Sequence, residues 1–206
     1  VDNPIVYIYN SHQLENYDNT NLKIYGITPN VLMASYLLKE KLNKNGVSSI
    51  VEDTNLSEFL NINNWDHSKS YAASRLLILD KQSKYKTLKY YIDIHRDSVN
   101  KSASTAMING KSYAKILFVV GLEHDNYQLN VETASNINSL FNKYYPGLSR
   151  GLYKKSGAGV NGIYNQDISG NAMLIEVGGY ENTIEEVFNT IDAISIILTK
   201  YINGEA

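Results

Sequence analysis

Three short stretches of this 206-residue chain carry side chains that could cooperate in hydrolysis. His12 stands three residues before Glu15, His95 opens the run His95-Arg96-Asp97, and Glu176 is set in Leu174-Ile175-Glu176-Val177. A catalytic zinc ion takes three protein ligands drawn from histidine and carboxylate and keeps its fourth position for water. Coordination lowers the pKa of that water to about 7, and a neighbouring carboxylate takes the proton and later hands it to the leaving amine. His12, Glu15 and His95 would make such a ligand set, with Glu176 as the base.

Each residue also has a plainer reading. His-x-x-Glu alone is a weak signal, and His95 beside Arg96 and Asp97 fits a hydrogen-bonded loop histidine. Glu176 lies among Met, Leu, Ile and Val, where a bare charge is costly, so it must be paired or bind something. A salt bridge to Arg96 or Arg150 would satisfy it. Arg96 suits a substrate carboxylate, a developing oxyanion or an ion pair. Asp93, two residues before His95, should share its strand face and could orient it as a ligand. His67 and His124, the other two histidines, read as exposed or helix-flanking residues. Gly157–Gly162 (GAGVNG) reads as a flexible site rim, since it lacks the spacing of a phosphate-binding loop. No G-x-S-x-G nucleophile turn occurs.

The patterns around these residues alternate between strand and helix. Strands are expected at Ile5–Tyr9, Val47–Val51, Lys89–Ile94, Ala114–Gly121 and Met173–Val177. Helices are expected at Val31–Asn43, on the spacing of Val31, Ala34, Ser35, Leu38 and Leu42, and at Asp66–Lys84, with Ala72, Leu76, Leu79 and Asp80 on one face. Two more should run over Leu129–Tyr144, stopped by Pro146 and Gly147, and Thr183–Ile202, with Thr183 as N-cap and Glu185-Glu186 in the first turn. Residues 150–171, rich in Gly, Asn and Ser, read as short strands or loops near a site. The alternation implies one α/β domain over residues 1–206, a three-layer arrangement with a mostly parallel, mixed sheet covered by helices on both faces. His12, His95 and Glu176 would then come together at strand ends, where sites of such sheets form.

Composition narrows the field. The net charge is −2, which gives no electrostatic footprint for nucleic acid. There is no cysteine, so disulfides, thiolate metal sites and cysteine nucleophiles are all excluded. No stretch approaches the ~18 apolar residues that span a bilayer, and an upstream membrane anchor is expected to be missing from a chain that starts at Val1.

IYNSHQLENY (8–17), DIHRDS (93–98), YNQDIS (164–169) and NAMLIEVGGYENTIEE (171–186) together resemble the stage II sporulation protein P family. The resemblance extends from about Val6 to about Tyr201, and its most specific part is LIEVGG followed by NT-x-EE. It implies an amidase-like fold and a cell-wall hydrolase related to the zinc N-acetylmuramoyl-L-alanine amidases, with some endopeptidase activity. His12 and His95 match metal histidines, Glu15 the acid that follows, and Glu176 the catalytic glutamate. The family commonly reads His-Thr-His where this chain has Asn10-Ser11-His12; His12 keeps its spacing to Glu15, which marks Asn10 as a tolerated neighbour. The resemblance also implies anchoring outside the cytoplasmic membrane of a sporulating bacterium, septal peptidoglycan stem peptide and glycan as substrate during engulfment, and a stage II sporulation protein D-like lytic transglycosylase as partner.

The expectation is therefore a zinc amidase that cuts between N-acetylmuramic acid and L-alanine. A zinc carboxypeptidase-like peptidase could use the same residues, with Arg96 reading a terminal carboxylate. A wall-binding scaffold without turnover would keep the fold alone.

Overall fold

Alternation along the strands sorts the sheet into one aliphatic face and one polar, tyrosine-rich face, and this sorting decides where chemistry can occur. The computed structural model describes residues 3–205. Its strands are β1 (Val6–Tyr9), β2 (Ser49–Val51), β3 (Tyr90–Asp97), β4 (Thr105–Ile108), β5 (Lys111–Ala114), β6 (Ile116–Gly121), β7 (Ser149–Lys155) and β8 (Ala172–Gly179). The helices are α1 (Val31–Lys44), α2 (Leu56–Ile62), α3 (Ser70–Lys84), the short α4 (Lys101–Ser104), α5 (Tyr127–Tyr144) and α6 (Ile184–Ile202).

The main sheet has the order β2-β1-β3-β8-β6-β7. β2, β1, β3 and β8 are parallel, β6 runs antiparallel to β8, and β7 is parallel to β6. This is the expected mixed, mostly parallel three-layer arrangement. On one face Val6, Ile8, Ile92, Ile94, Phe118, Ile175 and Val177 join α1, α5 and α6 in a continuous aliphatic core. Burying each such side chain contributes roughly 1.5–3 kcal/mol, so this face carries most of the stability. The buried residues of α1 are the five whose spacing announced it. α6 begins with a capping box: Thr183 accepts from Glu186 N, and the Glu186 carboxylate accepts from Thr183 N.

The opposite face carries Tyr7, Tyr9 and Tyr91 and is covered by α3. Here the sequence reading of α3 needs correction. The helix starts at Ser70, after a 3₁₀ turn over His67–Lys69 capped by Asp66. Its buried residues are Ser70, Ala73, Ser74 and Ile78, whereas Leu76 and Leu79 are 48% and 46% exposed and Ala72 and Asp80 also face solvent. The inward face is set by Ile78, which packs with Tyr7, Tyr9 and Tyr91, and by Ala73, which packs with Leu56 and Leu60 of α2.

Three other departures concern how the strands pair. β3 runs on through His95 to Asp97 because β8 pairs with it that far, so His95 is a strand residue and not a loop histidine. Ala114–Gly121 is two strands, interrupted where Lys115 donates its N–H to Ser104 O. β4 and β5 form a separate hairpin whose Asn109-Gly110 turn has φ of 50° and 75°, the positive values a tight two-residue turn requires. α2 was not expected at all; Asn55 caps it by accepting from Glu58 N. Among the described residues, no helix is long and apolar enough to cross a membrane.

Candidate active site

Past Tyr9 the chain leaves the sheet, and its next three side chains part company. Asn10 turns to the aliphatic side, where it donates to Ile94 O at 2.6 Å and accepts from Ser35 Oγ at 3.1 Å. Asn10 is thus buried against α1 and takes no place in the cleft. Ser11 goes to the other side and donates both its N–H and its hydroxyl to Asp93, at 2.9 and 2.6 Å. His12 follows into the cleft.

His12 Nδ1 lies 3.3 Å from Glu15 Oε1, and His95 Nδ1 lies 3.3 Å from Glu15 Oε2. Ligating atoms of all three residues fall within 4.8 Å of one another. With metal bonds near 2.1 Å, the edge of a tetrahedral site is about 3.4 Å, so the residues present fit a zinc ion. Asp93, 1% exposed, reaches His95 Nε2 at 3.1 Å, and Ser11 Oγ is 2.9 Å from the same nitrogen. Both partners occupy Nε2 and leave Nδ1 turned to Glu15, the arrangement that presents a histidine as a metal ligand.

The electrostatics agree. Burial alone would raise the pKa of Glu15, but hydrogen bonds from His12, His95 and Arg96 N bring it down to about 2. Burial would lower that of His95, yet the Asp93 and Glu15 carboxylates push it well above the usual imidazole range. A field that holds a proton on a buried imidazole is a field that favours a cation.

Glu176 lies opposite His95 in the β3–β8 register, on the same face of the sheet. Its Oε2 is buried without a hydrogen-bond partner. Loss of solvation raises its pKa to about 7, helped by the like charges of Glu15 and Asp97 against the opposing effect of His95. The salt bridge considered for it does not form. Arg150 pairs with Asp97 at 2.6 Å, and Arg96 Nε donates to Asn16 O at 2.9 Å.

A cleft of about 390 Å³ joins His12, Glu15, His95, Arg96 and Glu176, and Gly159–Asn161 and Tyr164 line it as well. The glycine-rich segment is thus a rim, pinned where Gly157 N donates to Glu123 Oε1 at 2.6 Å and Glu123 N donates to Gly162 O at 2.9 Å. Ser11 and Tyr71 were not foreseen. The Tyr71 ring lies 5.3 Å from that of His12 and 5.5 Å from that of Tyr164; an aromatic residue on a helix with no motif around it leaves no sequence signal. His67 is exposed as expected, but its ring packs 4.9 Å from His12. His124 stays outside the cleft, beside Tyr127.

The family model for stage II sporulation protein P matches residues 1–199. The chain belongs to that family. Stage II sporulation protein P of Bacillus subtilis (strain 168) is 35% identical over an alignment that covers 97% of this chain and 51% of the relative. The chain therefore spans about half the length of the curated relative it matches. Among solved structures, the CwlD amidase of Clostridioides difficile, solved in complex with the GerS lipoprotein, superposes with a TM-score of 0.56 at 13% identity, over 96% of this chain and 99% of the other. Cwp6 from Clostridium difficile gives 0.54 at 15% identity, over 95% and 29%. The family and the amidase-like fold read from the motifs are thereby shown.

Proposed function

We propose that the chain is a zinc-dependent peptidoglycan hydrolase that cuts the amide between N-acetylmuramic acid and L-alanine during sporulation. The carrying observation is the meeting, in one cleft, of three residues at metal-ligand spacing with a carboxylate whose buried Oε2 has no hydrogen-bond partner among the described residues. Membership of a sporulation family and the fold shared with an amidase support the same reading.

His12, Glu15 and His95 would hold the zinc, which when bound supplies a water of lowered pKa and a Lewis acid for the scissile carbonyl. Asp93 and Ser11 hold His95 Nε2, so that Nδ1 faces Glu15 and would be free to ligate the zinc. Glu176, whose pKa is about 7 in the metal-free chain, would take a proton from the attacking water and return it to the leaving alanine nitrogen. Arg96, anchored on Asn16 O, stands at the cleft wall toward the substrate. Septal peptidoglycan as substrate, a stage II sporulation protein D-like partner and a membrane-anchored site outside the cytoplasmic membrane complete the proposal.

Elemental analysis of wild type and His95→Ala in parallel tests the centre: about one zinc per wild-type chain is expected, with loss in the variant. Product analysis on purified peptidoglycan tests the bond. Free muramic acid ends support an amidase, and released amino acids point to a carboxypeptidase-like enzyme instead. A wild-type chain without zinc after loading would overturn the reading.

A further inference from the structure

The chain has three arginines, and two of them are neutralised. Arg75 makes two bonds to Asp167, at 2.7 and 2.9 Å, and Arg150 pairs with Asp97. Arg96 has no carboxylate partner for its guanidinium among the described residues. Its Nε is held on Asn16 O, and Nη1 reaches only Ser98 Oγ, at 3.4 Å. The head group is therefore fixed in direction while its charge stays unspent. Glu15 does not neutralise it, because that carboxylate accepts from the backbone N–H of Arg96 and from the two histidines.

Arg96 lines a second cleft, of about 210 Å³, with His12, Leu14, Glu15 and His67. Ser70 Oγ lies 3.3 Å from His67 Nδ1, and the ring packs beside that of His12, tilted by 32° with centroids 4.9 Å apart. Its Nε2 has no partner among the described residues. A fixed guanidinium and a fixed imidazole thus line one small cleft that opens beside the metal residues. A planar guanidinium recognises a carboxylate through paired N–H donors, and its fixed orientation leaves little entropy to be lost on binding.

We propose that Arg96 and His67 form a subsite for a carboxylate on the peptide part of the substrate, so that the enzyme selects acidic stem peptides. This rests on the peptidoglycan reading above for the identity of the peptide. The geometry of the subsite itself requires only a carboxylate within reach of the metal cleft.

The test compares N-acetylmuramoyl-L-alanyl-D-glutamate with the same compound amidated at both glutamate carboxyls. Wild type should favour the acid by about tenfold in kcat/KM, which corresponds to about 1.4 kcal/mol. His67→Ala should raise KM for the acid severalfold while leaving kcat, zinc content and the amidated compound unaffected, and His67→Gln, which keeps an N–H donor, should recover part of the loss. Equal effects on both compounds, a fall in kcat alone or loss of zinc from His67→Ala would overturn the subsite. Calorimetric binding of the two compounds to Glu176→Gln separates this proposal from the reaction. Preferential binding of the acid upholds the subsite even if wild type cuts neither compound, and equal binding removes it even if wild type cuts both.

Discussion

Two glutamates ten residues apart in one motif, the half-buried Glu176 and the buried Glu186, have opposite fates. Glu186, 6% exposed at the start of α6, accepts from Asn182 Nδ2 at 3.0 Å, Thr183 N at 2.9 Å and Ser112 Oγ at 2.9 Å, with Lys101 Nζ at 3.2 Å. These partners overcome the effect of burial and lower its pKa. Glu176 meets the same desolvation with a bare Oε2, and its pKa rises to about 7. Burial of a carboxylate is therefore not the mark of a reactive site; burial without partners is. Glu186 locks α6 to the β4–β5 hairpin, whereas Glu176 is held ready for a proton.

Glu176→Gln should break this contrast most strongly. It removes the proposed proton acceptor but keeps the shape, so turnover on peptidoglycan should fall about 10²–10⁴-fold with zinc content and fold retained. Retention of full activity by a zinc-loaded Glu176→Gln would remove Glu176 from the chemistry. Glu186→Ala should do the reverse. Deleting the capping box and the bonds to Asn182, Ser112 and Lys101 should remove about 2–3 kcal/mol, seen as a Tm lower by roughly 4–12 °C, with activity per folded molecule unchanged. A loss of activity without loss of stability would mean that α6 reaches the cleft by a route not seen in these contacts.

Asp93 refines the comparison because it is both fully partnered and close to the site. Asp93→Asn keeps the hydrogen bond to Ser11 N but weakens the hold on His95 Nε2, and zinc affinity should fall about 10–100-fold. Competition against a chromogenic chelator measures this. An unchanged affinity would show that Ser11 alone orients His95.

The same contrast explains what could be read from sequence. α1 and α6 were legible because their buried residues repeat at helical spacing and their ends carry caps. His12, Glu15, His95 and Glu176 were legible as candidates because polar residues within or just after apolar runs stand out. The extension of β3 through His95 to Asp97 was not, since it depends on pairing with β8, eighty residues away. The buried face of α3 was not legible because leucines suggest burial, while the helix turns Ile78 to the tyrosine-rich sheet and Ala73 to α2. The Asn109-Gly110 turn did carry a local hairpin signal. The missing salt bridge of Glu176 was hidden altogether, because composition cannot tell which acid Arg150 will choose.

The smallest effect is also the one that tests the contrast directly, through the pH dependence of stability of the metal-free protein. For Glu176 the folded pKa of about 7 lies above the unfolded value near 4.3. The folded chain binds that proton more tightly, so this stabilisation is complete below about pH 4.3 and is lost as the pH rises through about 7. Glu176→Gln lacks the loss, so its Tm should match wild type at acid pH and exceed it, on the order of a few degrees, above neutrality. For Glu186 the folded pKa is depressed. Its contribution is present above about pH 4.3 and disappears as the pH falls through the folded value, so the deficit of Glu186→Ala should be widest at neutral pH and close toward acid. His95 titrates in all three proteins and largely drops out of the differences. Both gaps should therefore be widest at neutral pH and narrow toward acid, but with opposite signs relative to wild type. A Glu176→Gln protein less stable than wild type at neutral pH would show that Glu176 has a partner after all, and with it the distinction between the two carboxylates would fall.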